Sequence, residues 1–78
     1  MKKKYKIQNN IRTLRFMNEE MTQQQLAEKV DVSRQTIVAI EKGKYSPTLE
    51  LSFKIAQVFN VPLHEVFSYE LIDTKPQR

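Results

Sequence analysis

Arg34, Gln35 and Thr36 stand in a row directly after Ser33, where the chain reads as the start of a helix. Their side chains are a fork-shaped donor, an amide that can pair bidentately with adenine, and a small hydroxyl. A major groove rewards these residue types. Lys42, Lys44, Tyr45 and Ser46 follow a few residues later, all donors suited to phosphate oxygens. Other chemistries find little material. The chain has no cysteine, which excludes a disulfide scaffold, thiol chemistry and a zinc finger. His64, the one histidine, lies between Leu63 and Glu65 on the outer side of a short helical segment and reads as an exposed ring. The adjacent Glu19 and Glu20 have no nucleophile or metal ligand to serve and read as a solvated turn. No enzyme activity, metal, cofactor or small-molecule ligand is expected.

The elements that must hold Arg34 to Thr36 in place lie between Thr22 and Lys42, which reads as two short helices. Thr22 and Gln25 have the spacing of a capping box, and Met21 and Leu26 that of a hydrophobic staple. The grammar repeats: Ser33 caps the second helix, with Val32 before it and Ile37 at the staple position. Between the helices Asp31-Val32 leaves room only for a tight turn, so the two must cross steeply. Leu26, Ala27 and Val30 on the first helix face Ile37, Ile40 and Val32. Arg34, Gln35, Thr36, Val38, Ala39 and Lys42 are left outside. The same pattern also fits an ordinary amphipathic helical hairpin with a polar outer face.

From Met21 to Phe67 the text MTQQQLAEKVDVSRQTIVAIEKGKYSPTLELSFKIAQVFNVPLHEVF resembles the Cro/phage-repressor helix-turn-helix family, also called the xenobiotic-response-element family. The signal is T-Q-x-x-L-A followed by V-S-R-Q-T-I-x-x-I-E-x-G. The resemblance implies a repressor-like DNA-binding domain. It places Gln23 on a phosphate and Arg34, Gln35, Thr36 and Ala39 against base edges, with Ser33 in the same DNA-binding set. It also implies that the loop from Lys42 to Ser46 touches the DNA backbone, and that Arg15 pairs with Glu41. The chain departs from the family pattern in three places. Asp31 stands where Gly is usual in the turn, which bears on stability because Asp takes the left-handed conformation less easily. Pro62 replaces the usual Ser or Thr before the last helix, and Pro suits a first helical position. The link Asn18-Glu19-Glu20 is one residue longer than the commonest form.

Seventy-eight residues make one domain, residues 1–78. A chain this short buries only about 60–65% of its unfolded surface, so it gains from dimerisation. No apolar run approaches the ~20 residues of a membrane span, and a soluble, cytoplasmic protein is expected. The net charge of +4 suits a polyanion. Lys2, Lys3, Lys4, Lys6, Arg12 and Arg15 precede any acidic residue, and the lysine run fits either a solvated terminus or a phosphate-touching arm. Tyr5 and Ile7 alternate as in a short strand. A first helix runs from about Asn9 to Met17, burying Ile11, Leu14 and Met17, with Arg12 and Arg15 outside. Gly43 sits where a helix ends and a left-handed residue is wanted.

Thr48 caps a fourth helix that continues to about Asn60. Leu49, Ser52, Phe53, Ala56 and Phe59 form one apolar stripe, expected to close the core. Leu51, Ile55 and Val58 form a second, about 100° away, and a helix apolar on two sides is very buried or has a partner. A fifth helix runs from Pro62 to about Phe67. The tail 68–78 is strand-like and then frayed, and its strand can pair with the N-terminal one. The fold class expected is all-α: five helices, with room for a small terminal two-stranded β-ribbon. The function expected is a sequence-specific regulator that binds double-stranded DNA as a homodimer, most simply a repressor. Its dimer interface is expected at Leu51, Ile55, Val58, Phe67, Tyr69 and Leu71. An antitoxin-type protein or a protein-binding helper, whose main partner is another protein, stays open as the alternative.

Overall fold

Capping residues set the boundaries of the helices. In the computed structural model, which describes residues 3–72, the order is β1 (Lys4–Asn9), α1 (Ile11–Met17), α2 (Gln23–Val30), α3 (Arg34–Glu41), α4 (Leu49–Phe59), α5 (Leu63–Val66) and β2 (Phe67–Ile72). The fold is thus mostly helical, with five helices and one small sheet. The expected frayed segment from Asp73 to Arg78, and Lys2 of the lysine run, lie outside the described residues.

Thr22 and Gln25 form the reciprocal box: Gln25 N–H donates to Thr22 Oγ1 at 3.0 Å, and Thr22 N–H to Gln25 Oε1 at 2.9 Å. Ser33 Oγ accepts from the N–H of Thr36 at 3.2 Å, and Thr48 Oγ1 from that of Leu51 at 3.1 Å. Caps of this kind contribute about 1 kcal/mol each. Pro62 is the extended residue before α5 and makes no side-chain cap bond, so the first helical position falls to Leu63.

The C-termini share one solution. After α3, Gly43 N–H donates to the Ile40 carbonyl and Lys44 N–H to that of Ala39, with Gly43 at φ 76°. This is the Schellman arrangement. Asp31 (φ 62°) and Asn60 (φ 58°) make the same closure after α2 and α4. The longer link after α1 turns through two consecutive left-handed residues, Glu19 at φ 60° and Glu20 at φ 56°.

Ile11, Leu14, Leu26, Ala27, Val30, Ile37, Ile40, Leu51, Ile55, Ala56, Phe59 and Val66 form one core, edged by Met21, Val32, Val58, Val61, Leu63 and Phe67. Full burial of a side chain such as Ile37 contributes about 1.5–3 kcal/mol. Met17, expected inside, is exposed at the end of α1. On α4 the expected roles are partly exchanged. Leu51 (8% exposed) and Ile55 (0%) belong to the core of the single chain, whereas Leu49 (67%) and Phe53 (54%) stand in the open. The expected interface positions Leu51 and Ile55 therefore have no free surface to offer. They lie toward the Val58 side of the helix's apolar arc, and that side is packed into the core.

β1 and β2 pair antiparallel in the register Lys4↔Ile72 to Asn9↔Phe67. Both strands leave from one point, where the Asn10 N–H donates to the Val66 carbonyl at 2.8 Å. Strand alternation puts Tyr5, Ile7, Tyr69 and Leu71 on one face, and all four are exposed. Tyr5 and Tyr69 stack there with ring centroids 5.0 Å apart.

Candidate nucleic-acid interface

The left-handed turn at Asp31 joins α2 closely to α3, and the first residues of α3 stay on the surface. Arg34 and Gln35 are exposed, while Thr36, Val38 and Ala39 are half-buried. The Thr36 hydroxyl lies 3.0 Å from Ser33 Oγ, so its hydrogen bonding is shared with the cap. Lys42, Lys44, Tyr45 and Ser46 are exposed just past the end of α3. The turn at Gly43 carries them, and of these donors Lys42 lines one surface trench together with Arg34.

One buried tie fixes α3 against the rest. Arg15 Nε donates to Glu41 Oε2 at 2.8 Å and Arg15 Nη2 to Glu41 Oε1 at 3.1 Å. Arg15 Nη1 donates to the Met21 carbonyl at 2.8 Å, and Gln23 Nε2 to Glu41 Oε1 at 3.2 Å. The expected Arg15–Glu41 contact is present, in the bidentate geometry that makes such pairs strong. Gln23, named from the sequence as a phosphate donor, spends one amide proton on Glu41. Its second amide proton remains, since a Gln amide carries two.

Between the end of α1, the start of α2 and the outer face of α3 runs an open trench of about 790 Å³. Arg12, Arg15, Phe16, Gln23, Gln24, Arg34, Val38 and Lys42 are among its lining residues. Arg12, Phe16 and Gln24 are trench residues that the sequence reading left out. Arg12 had a signal, since it lies one helical turn before Arg15. Asn9 was also missed. Its Nδ2 donates to the carbonyls of Ile40 (3.1 Å) and Glu41 (3.3 Å), clamping β1 onto the C-terminal end of α3. Nothing in its sequence position announced a contact across 31 residues.

The trench is lined by Arg12, Arg15, Arg34 and Lys42 and by Glu20 and Glu41, and two short helices joined by a tight turn, the second capped at Ser33, have the layout of a helix-turn-helix nucleic-acid-binding domain. The comparison with known proteins agrees. A helix-turn-helix family profile matches residues 11–66. Over 50 residues the chain is 60% identical to an uncharacterized HTH-type transcriptional regulator of Methanocaldococcus jannaschii, covering 64% of this chain and 76% of that protein. It is 47% identical over 49 residues to the uncharacterized HTH-type transcriptional regulator YgzD of Bacillus subtilis, covering 63% of this chain and 74% of that one. The cryptic phage CTXphi transcriptional repressor RstR of Vibrio cholerae is 37% identical over 60 residues, which cover 77% of this chain and 53% of RstR. Among solved structures, a Bacteroides fragilis protein assigned to DNA binding superposes with a TM-score of 0.69 at 26% identity, covering 80% of this chain and 98% of that one. The chain belongs to the helix-turn-helix family of transcriptional regulators, of the Cro/phage-repressor type. Among the described residues no helix is long and apolar enough to cross a membrane.

Proposed function

We propose that this protein is a sequence-specific transcriptional repressor that binds operator DNA as a homodimer, with α3 in the major groove. The observation that carries the reading is the exposed Arg34-Gln35 pair on a helix capped at Ser33 and tied down at Glu41. Recognition needs side chains held within a fraction of an ångström, and an N-terminally capped helix with a buried anchor supplies that stiffness. In this scheme Arg34 pairs with guanine and Gln35 with adenine, while Thr36 and Ala39 pack against neighbouring base edges. Ser33, Gln23, Lys42, Lys44, Tyr45 and Ser46 hold the phosphates. The repressor sense is favoured because RstR, a relative of this chain, is a repressor. A short domain sitting on a promoter blocks it without further machinery.

In this reading the dimer contact uses the exposed apolar face of the ribbon, Tyr5, Ile7, Tyr69 and Leu71, together with Leu49 of α4. Ile7, Leu49, Leu63, Phe67 and Tyr69 line one apolar groove, which joins the ribbon to the start of α4. Val58 and Phe67, also expected at the interface, are half-buried at its margins. A free two-stranded ribbon is marginal in water, so covering this face with a second copy would stabilise it. Selection of bound sites from random duplex DNA tests the whole reading. A two-fold symmetric site with half-sites about 10 base pairs apart is expected. Recovery of unrelated sequences, or of a single half-site, refutes sequence reading or the dimer respectively.

A further inference from the structure

The function proposed above uses the apolar face of the ribbon and leaves the other face unassigned. Strand alternation puts Lys4, Lys6 and Gln8 on it, opposite Ile72, Glu70 and Ser68. Lys6 has a carboxylate directly across from it, yet the two form no ion pair; among the described residues the ion pairs are Arg15–Glu41 and Lys54–Glu50. Glu70 instead accepts from Ser68 Oγ at 2.7 Å. The Lys6 chain extends the other way, to the turn that ends α3: its Cε lies 3.8 Å from where a Cβ on Gly43 would be. Lys42 and Lys44 flank that glycine and are exposed. The placement is held by Asn9, whose amide donates to the carbonyls of Ile40 and Glu41.

We propose that Lys6 is a DNA-phosphate contact, and that β1 thereby extends the DNA-binding surface beyond the helix-turn-helix; the inference rests on the DNA-binding reading above. The Lys6 side chain reaches the turn whose two flanking residues are Lys42 and Lys44, so one turn carries three basic residues. Concentrating like charge there is unfavourable in the free protein and is relieved when a polyanion lies across it. The ribbon then has two jobs, one for each face: Tyr5 and Ile7 meet the second copy, and Lys6 meets the phosphate backbone. Placing both on one strand ties the geometry of the dimer to the footprint on DNA.

The test compares the parent with Lys6→Ala, Lys6→Arg and Lys54→Ala, using a selected duplex and its scrambled version over a salt series. Phosphate contacts do not depend on sequence, so both duplexes report. Each lost contact lowers the slope of log K against log salt by about 0.9, so Lys6→Ala in a dimer should lower it by about two. The parent's advantage over Lys6→Ala should accordingly shrink about tenfold between roughly 50 and 200 mM salt. Lys6→Arg should keep the parent's slope, and Lys54→Ala, which removes an exposed lysine of α4 that does not line the trench beside α3, should leave it unchanged. If the parent binds DNA and Lys6→Ala has the parent's slope, the contact is refuted while the DNA-binding reading survives. An equal loss for Lys54→Ala refutes it too, because the effect is then one of general charge. Sedimentation of the same samples covers the structural alternative. A variant that associates differently but keeps its slope also refutes the contact. A parent that binds neither duplex takes down both readings.

Discussion

Arg15→Ala should be among the most damaging single substitutions in this chain, although Arg15 is polar and lies in the last turn of α1. The Arg15 and Glu41 side chains are only 13% and 10% exposed. Removing the guanidinium deletes two bonds to Glu41 and one to the Met21 carbonyl. It leaves a nearly buried carboxylate whose one remaining partner among the described residues is the Gln23 amide. Breaking a fully buried pair from one side costs about 3–5 kcal/mol. Gln23 and the residual water contact reduce this, so about 2–4 kcal/mol is expected here. Stability of about 0.05–0.15 kcal/mol per residue puts the whole domain at roughly 4–12 kcal/mol, so the loss takes a large share of it. Arg15→Met with Glu41→Leu removes both charges and should cost much less than Arg15→Ala, because no charge is stranded. Urea denaturation followed by circular dichroism, on both single variants and the double, gives the coupling directly. A cost for Arg15→Ala below about 1 kcal/mol, or coupling under about 0.5 kcal/mol, refutes the buried-tie reasoning.

The remaining expectations are shorter to argue. Asp31→Gly and Glu20→Gly should each stabilise the fold by about 0.5–1 kcal/mol, since both residues hold a left-handed conformation; an unchanged urea midpoint refutes this. Arg34→Ala should lose about 1–3 kcal/mol at the selected site and almost nothing on scrambled DNA, whereas Lys44→Ala should weaken both alike. Equal losses for Arg34→Ala on the two duplexes would remove its base-reading role. Tyr69→Glu should give a folded monomer by sedimentation, whereas Ile55→Glu should unfold because it buries an unpaired charge in the core. A folded Ile55→Glu would contradict the packing of α4.

What the sequence made legible follows from how local each interaction is. The Thr22–Gln25 box, the Ser33 and Thr48 caps and the left-handed Gly43 are settled within three or four residues, and all are found where the spacing puts them. The Arg15–Glu41 pair spans 26 residues and was reached through family resemblance, which carries long-range information that spacing lacks. Asn9 had neither kind of signal. Glu19 and Glu20 show the limit of turn chemistry, since both take positive φ and nothing in two glutamates asks for it. On α4, the apolar residues from Val58 round to Phe53 cover an arc of about 220° at 3.6 residues per turn. Dividing that arc into two stripes was right in part: Ser52, Ala56 and Phe59 of the expected core stripe are buried, Leu49 and Phe53 are not, and Leu51 and Ile55 of the second stripe are buried with them. This chain buries most of the arc, leaves Val58 half-buried at one margin and exposes Leu49 and Phe53 at the other. That placement removes most apolar area from water for a fixed width of contact. The margin that faces the ribbon is then left over by geometry, and it adjoins the exposed face of Ile7 and Tyr69. An apolar surface two elements wide, left uncovered by the packing of one chain, is the physical reason to look for the second copy there rather than at Leu51 and Ile55.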